Sequence, residues 1–151
     1  MTSDLMSKPE EALSLFNEAF SCSQAIFATY APEIGVDKET ALKVAGAFGG
    51  GMARMGETCG AVTGAFMLIG LKHGQTKVGD GAAKDRTYQL VREFVERFKE
   101  RNRSIVCSEL LGVHIGTPEG SQAFKDRGLK DAICVKLVRD AAEIVGEMLG
   151  K

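Results

Sequence analysis

The sequence predicts an all-α fold, a single domain over residues 1–151 built as a bundle of about five to six helices. Apolar residues recur at helical spacing along most of the chain, which indicates helices with one face turned to a core. Stretches that alternate apolar with polar residues are mostly absent, as are the closely spaced turn signals of an all-β protein. The chain has three prolines, no internal repeat and no linker-like segment, so one domain of ordinary size accommodates it.

The first third of the chain predicts three helical segments with local start and stop signals. Ser7 opens the first through a capping box, and the second continues it or follows a break near Ser21. The second segment ends before Pro32, since the residue before a proline avoids the helical region. Asp37 is a suitable N-cap for a third helix that extends to about Phe48.

The rest of the chain predicts further helices. The strongest pattern covers residues 83–103, where one stripe is apolar and the other faces carry Arg, Glu and Lys. Residues 112–130 form the longest irregular stretch, with one turn near residues 121–125. The remaining helices are predicted over residues 58–72, 104–111 and 131–149.

Composition and charge argue against several classes of function. The formal net charge is −1 without a block of like charge, which argues against binding to nucleic acid or to an anionic membrane. No apolar run approaches the ~20 residues that a membrane-spanning helix needs. The first residues lack the basic and apolar regions of a secretory signal, so we expect a cytoplasmic protein. Permanent disulfides are rare in that compartment, and the four cysteines therefore indicate metal binding or redox chemistry.

Cys59 is the best candidate for a catalytic or ligating sulfur. It lies in the first turn of the helix predicted over residues 58–72, where unpaired N–H groups and the helix dipole favour a negative charge. We therefore expect its thiol to have a lowered pKa. Arg54 is interpreted as a solvated loop charge, and Glu57 and Thr58 as helix-capping residues.

A glycine-rich segment surrounds Cys59. Because glycine has no side chain, the backbone can approach a group bound at the cysteine, and close N–H groups stabilise a thiolate or the sulfides of a cluster. Gly60 and Gly64, four residues apart, also leave room for a neighbouring helix. The candidate cofactor-binding residues are Gly50, Gly51, Gly56, Gly60 and Gly64.

The other three cysteines, Cys22, Cys107 and Cys134, each line up with apolar residues three and four positions later, so we expect them to face the core. Spacing alone also fits ordinary core residues, because a free cysteine often serves as a small hydrophobe. No Cys-x-x-Cys pair is present, so neither a thioredoxin-like motif nor a ribbon-type zinc site is indicated. His114 is interpreted as a surface or capping residue, with a ligand role in a Cys₃His site as the alternative.

Four segments carry a family pattern: CSQAIFATYAPEIG from residue 22, GAFGGGMARMGETCGAVTGAFMLIGLKHG from residue 46, CSELLG from residue 107 and CVKLVRDAAEIVGEML from residue 134. In this order they resemble the C_GCAxxG_C_C family of redox-active proteins. In that family a first cysteine, a central Cys-Gly-Ala-x-x-Gly segment and two later cysteines recur. The central segment corresponds to residues 59–64 of this chain, and the resemblance covers about residues 10–148.

The resemblance implies that the four cysteines act together in a redox role, with an oxidoreductase as the partner. The first hypothesis is an iron–sulfur cluster, or a similar metal centre, for electron transfer or sensing, since four cysteines match the usual ligand count. The second is metal-free thiol–disulfide chemistry with Cys59 as the nucleophile. A structural zinc site is the third, and a binding module with incidental cysteines is the fourth. The expected metal ligands are Cys22, Cys59, Cys107 and Cys134.

Overall fold

This computed structural model describes residues 6–150. That range contains eight α-helices, one 3₁₀ helix and one π-helical segment, joined by loops. No β-strand occurs over that range, so the expected all-α class is confirmed. Residues 1–5 and 151 of the expected domain lie outside the described residues. The helices are α1 (Lys8–Asn17), α2 (Cys22–Tyr30), α3 (Lys38–Ala45), α4 (Gly60–His73), α5 (Gly81–Asn102), α6 (Cys107–Leu111), α7 (Pro118–Asp126) and α8 (Val135–Leu149). The 3₁₀ helix covers Ala31–Ile34 and the π segment covers Lys130–Cys134.

The expected count of five to six helices is too low, because a further short helix forms in the stretch that was expected to be irregular. This helix, α7, begins at a local signal: the Oγ1 of Thr117 accepts the N–H of Gly120 at 3.0 Å, and Pro118 follows as the first helical residue. The last predicted helix is also divided, since the π segment precedes α8 and ends at Cys134. π-helical turns are rare and often occur at functional sites.

The break between α1 and α2 places Cys22 at the start of a helix. Ala19 has a φ of 82°, which ends α1. Ser21 then caps α2, because its Oγ accepts the N–H of Gln24 at 3.3 Å while Oε1 of Gln24 accepts the N–H of Ser21 at 2.9 Å. Cys22 is consequently the first helical residue, in the turn where backbone N–H groups lack intrahelical partners.

Helix α4 lies at the centre of the bundle and packs against α2, α5 and α8. Gly64 permits the close contact with α2, since a Cβ at this position would lie 2.9 Å from Ser23 O and 3.0 Å from Ile26 Cβ. The room for a neighbouring helix that the glycine spacing predicted is therefore used at Gly64. Within residues 6–150, no helix combines the length and the apolar character that a bilayer crossing requires.

Two groups of buried apolar side chains meet where the cysteines lie. The larger group contains Cys59 and most of the helical core, and Cys22 packs against it. The smaller group contains Cys107, and Cys134 packs against both. The boundary between the two groups is the place where the fold brings the four cysteines together.

Candidate functional site

All four cysteines line one cavity of about 450 Å³. Its walls come from α1, α2, α4, α6, α7 and α8, from the loop between α3 and α4, and from the π segment. Two cationic side chains, Arg54 and Lys130, also line it. The apolar lining residues are Phe16, Phe20, Ala53, Leu111, Ile115, Phe124 and Leu137.

Each cysteine stands at or beside the beginning of a helical element. Cys22 is the first residue of α2, and Cys59 directly precedes α4. Cys107 is the first residue of α6, and Cys134 ends the π segment that leads into α8. Because the positive ends of the α2 and α4 dipoles point toward this cavity, negative charge on the sulfurs of Cys22 and Cys59 is favoured there.

A short backbone pairing brings Cys59 close to Cys107. Thr58 and Val106 form an isolated antiparallel β-bridge. Beside it, the N–H of Cys59 donates to Ile105 O at 2.7 Å, and the N–H of Cys107 donates to Glu57 O at 2.6 Å. Thr58 and Glu57 thus take part in this pairing through their backbones, and neither is the N-cap of α4, a position that Cys59 occupies.

The loop before α4 contains an unusual left-handed turn. Five consecutive residues have φ values between +49° and +72°: Gly50, Gly51, Met52, Ala53 and Arg54. This conformation costs a residue with a Cβ roughly 1–2 kcal/mol, so the three non-glycine residues together store about 3–6 kcal/mol. The N–H of Glu57 closes the turn by donating to Gly51 O at 2.9 Å.

The predicted cofactor-binding glycines divide into two sets. Gly50, Gly51 and Gly60 line the cavity, and a Cβ at Gly60 would collide with Cys22 Sγ. A Cβ at Gly51 would lie 2.7 Å from Cys107 Cβ. The two glycines outside the lining have packing roles, since Gly56 faces the ring of His114 and Gly64 faces α2.

Cys22, not Cys59, is the thiol with the lowered pKa. The thiol of Cys59 donates a hydrogen bond to Cys22, and this contact lowers the pKa of Cys22 to about 6 against the opposing effect of burial, with help from the N–H groups of Gly50 and Ser23. The same contact, together with burial, raises the pKa of Cys59 well above its ordinary value. The lowered pKa expected at Cys59 is therefore not found, and within this pair of thiols the pKa is lowered at Cys22.

The other two cysteines are neutral thiols at physiological pH. Burial raises the pKa of Cys107 to about 11 and that of Cys134 to about 12, and the nearby charge of Cys22 acts in the same direction. Arg54 partly opposes the rise at Cys107, and Lys130 partly opposes it at Cys134. Of the four thiols, Cys22 thus has the lowest pKa, and Arg54 and Lys130 lie near Cys107 and Cys134.

The residues do not form a closed single-ion site. In the described part of the chain, no group of three or more His, Cys, Asp or Glu side chains is placed to hold one metal ion. A tetrahedral zinc with Zn–S bonds of about 2.3 Å would draw its sulfurs to within about 4 Å of one another. His114 is exposed, lies outside the cavity lining and accepts the N–H of Gly116 on Nδ1 at 3.1 Å, so it takes the surface role.

Sequence reasoning named Cys22 as a ligand but missed its lowered pKa, and it missed Lys130 altogether. The low pKa of Cys22 had a local signal, because the Ser-x-x-Gln capping box that begins at Ser21 places the next residue at a helix N-terminus. Lys130 had no such signal, since the fold alone brings the π segment to the cavity.

Comparison with known proteins gives one result. Neither the curated proteins nor the solved structures contain a match to this chain. A family model described as "Putative redox-active protein (C_GCAxxG_C_C)" matches residues 20–148, which include all four cysteines and the glycine-rich loop. The chain therefore belongs to the C_GCAxxG_C_C family.

Proposed function

We propose that this protein binds an iron–sulfur cluster through Cys22, Cys59, Cys107 and Cys134 and serves in electron transfer or sensing. The observation that carries the proposal is the meeting of four cysteines from four separate elements in one cavity. Four cysteine thiolates are the usual ligand set of such clusters. The four cysteines would be shared among several irons, so they need not converge on one point, which agrees with the absence of a single-ion group among residues 6–150.

The surroundings of the sulfurs suit a charged, partly buried group. The N–H groups of Gly50 and Ser23 already donate to the sulfur of Cys22 and would stabilise negative charge there. Cys107 and Cys134 must lose their protons to become ligands, and Arg54 and Lys130 favour that loss. A bound cluster supplies one-electron redox chemistry, and an oxidoreductase is the proposed partner.

A second candidate function rests on the hydrogen-bonded pair of Cys22 and Cys59. In metal-free thiol–disulfide exchange, the Cys22 thiolate attacks one sulfur of a substrate disulfide, and the other sulfur leaves as a thiolate. The thiol of Cys59 loses its proton and attacks Cys22, which releases the second substrate thiol and leaves a Cys22–Cys59 disulfide. The substrate gains two electrons and the pair loses two. The pKa directions support Cys22 as the nucleophile and Cys59 as the resolving thiol.

The two candidates differ in what the purified protein contains. Protein isolated without oxygen is expected to carry iron and acid-labile sulfide and to absorb visible light. Replacing any one of the four cysteines by serine is expected to reduce that content, whereas Ser108→Ala, a neighbour of Cys107 outside the cavity lining, is expected to leave it unchanged.

A different set of results supports the second candidate. In that case the purified protein contains no iron or sulfide, oxidation removes two titratable thiols, and peptide mapping finds a reversible Cys22–Cys59 disulfide. These results would support thiol–disulfide exchange and contradict the cluster. Protein with neither property would contradict both functions.

A further inference from the structure

Two cations line the cavity without a carboxylate to balance them. Arg54 and Lys130 come from different elements, and no Asp or Glu of the described residues is part of the lining. Within residues 6–150, neither cation forms an ion pair, although eight contacts of that kind occur elsewhere. Arg54 Nη2 donates to Ser121 Oγ at 3.2 Å, and Lys130 Nζ lies 4.8 Å from the ring centre of Phe16.

Most of the remaining cavity lining is apolar. Phe16 and Phe20 come from the end of α1 and the residues after it, and Phe124 comes from α7. A volume of about 450 Å³ lies within the range of about 300–1,000 Å³ that is usual for small-molecule sites. Such sites combine an apolar lining with a few polar groups that fix the orientation of the ligand.

We infer that the cavity binds a small organic anion with an apolar body, whose charged group contacts Arg54 and Lys130 while its body packs against the phenylalanines. Guanidinium and ammonium groups recognise carboxylates through charge-assisted hydrogen bonds, and the low polarity of the wall strengthens them. This binding goes beyond the proposed redox role. A cluster on the four sulfurs would share the cavity and the charges of Arg54 and Lys130 with the anion, so binding is measured both on protein as isolated and on reduced, metal-free protein. The ligand class is an aryl or alkyl carboxylate that places its apolar end beside the sulfurs.

Titration calorimetry with a charged probe and its neutral counterpart tests the inference on protein isolated without oxygen. The probes are 4-phenylbutyrate and 4-phenylbutyramide, which differ in charge and hardly in size. We expect the carboxylate to bind about a hundredfold more tightly than the amide, which corresponds to about tenfold for each of its two charge-assisted contacts. Arg54→Gln and Lys130→Gln are each expected to weaken the carboxylate about tenfold and to leave the amide unchanged.

Lys84→Gln is the matched control, because Lys84 Nζ also stands over an aromatic ring, 5.9 Å from that of Tyr88, outside the cavity lining. It is expected to leave the binding of both probes unchanged. Iron and sulfide are measured on every sample, so that loss of a cluster is distinguished from loss of anion binding. Protein that lacks iron but binds the carboxylate would contradict the cluster and support the anion site.

Three calorimetric results would overturn the inference: no binding of 4-phenylbutyrate at millimolar concentration, equal binding of carboxylate and amide, or carboxylate binding that survives both substitutions. The last result would mean that the two cations only balance the charge of the cavity's own sulfurs. Nuclear magnetic resonance spectra locate the probe, and shifts confined to residues away from the cavity would likewise overturn it.

Discussion

The charge on Cys22 depends on donors that converge on one sulfur. The thiol of Cys59 has the largest effect on its pKa, burial opposes that effect, and the N–H groups of Gly50 and Ser23 add to it. Only Ser23 is a neighbour in sequence. The lowered pKa of Cys22 therefore depends on contacts between α2, the loop before α4 and the start of α4.

In reduced, metal-free protein, the alkylation rate of Cys22 is expected to rise with pH around a midpoint of about 6. Only the thiolate reacts with iodoacetamide, and the pKa of about 6 means that the thiolate is present above that pH and lost below it. Cys59→Ala removes the first donor and is expected to move the midpoint upward by about 1 pH unit. Cys134→Ala is the control, since that thiol does not donate to Cys22. Peptide mapping by mass spectrometry measures the rates, and a wild-type midpoint above pH 8 would contradict the assignment.

Gly60 and Gly70 offer a matched pair within α4. A Cβ at Gly60 would overlap Cys22 Sγ and lie 3.1 Å from Ser23 N, whereas a Cβ at Gly70 meets nothing within 4 Å. Gly60→Ala is expected to turn the sulfur of Cys22 away from Cys59, which raises its alkylation midpoint and lowers any iron content. Gly70→Ala is expected to leave both unchanged and to raise the free energy of unfolding by about 0.5–1 kcal/mol. If the two variants behave alike, Gly60 has no role at the site.

At the scale of elements, the left-handed turn connects the backbone to two cysteines. Gly50 donates its N–H to Cys22, and Gly51 lies against Cys107. The strain stored in the following three residues persists because hydrogen bonds across the loop and the β-bridge to Val106 hold its ends. The turn therefore fixes the distance between the start of α2 and the start of α6.

Gly51→Ala tests this turn against a control that has the same backbone conformation. Gly51 and Gly112 have φ values of +72° and +74°, so alanine at either position costs about 1–2 kcal/mol. A Cβ at Gly51 would also lie 2.6 Å from Glu57 N, while none of the described atoms approaches a Cβ at Gly112 within 4 Å. We expect Gly51→Ala to lower the free energy of unfolding by about 3 kcal/mol or more and Gly112→Ala by about 1–2 kcal/mol. If urea denaturation shows that both variants lose the same free energy of unfolding, the close contacts of a Cβ at Gly51 add nothing to the cost of its backbone conformation.

At the scale of the molecule, the sequence predicted those features of the fold that are determined by a few residues close together in the chain. Ser7 and Asp37 cap their helices as expected, because a cap acts within one helical turn. The cysteines were expected to meet only through a family resemblance, since spacing carries no such information. The left-handed turn could not be predicted, because Met52 and Ala53 disfavour that conformation on their own. The lowered pKa of Cys22 follows mainly from a contact with Cys59, which is distant in sequence, and the raised pKa values of Cys107 and Cys134 follow mainly from burial.

One polar network joins α5 to α8. Asp140 is largely buried and accepts hydrogen bonds from Lys136 at 2.7 Å, Asn102 at 3.1 Å and Arg101 at 3.1 Å. Burial opposes ionisation of Asp140, but these donors outweigh it and lower its pKa. The network holds α8, and with it the preceding π segment that carries Cys134.

Acid is expected to weaken this network. Because the pKa of Asp140 is lower in the folded chain than its ordinary value of about 3.9, its stabilising effect is complete above that pH and is lost as the pH falls toward the folded value. Asp140→Asn is expected to reduce the free energy of unfolding by about 2–3 kcal/mol at pH 7, and this difference should shrink below about pH 4. Asp126→Asn, at an exposed carboxylate that accepts from Gln122 at 2.8 Å, should cost less than about 0.5 kcal/mol. Urea denaturation from pH 3 to 7 measures both variants, and a difference for Asp140→Asn that stays constant down to pH 3 would show that its charge does not hold the two helices together.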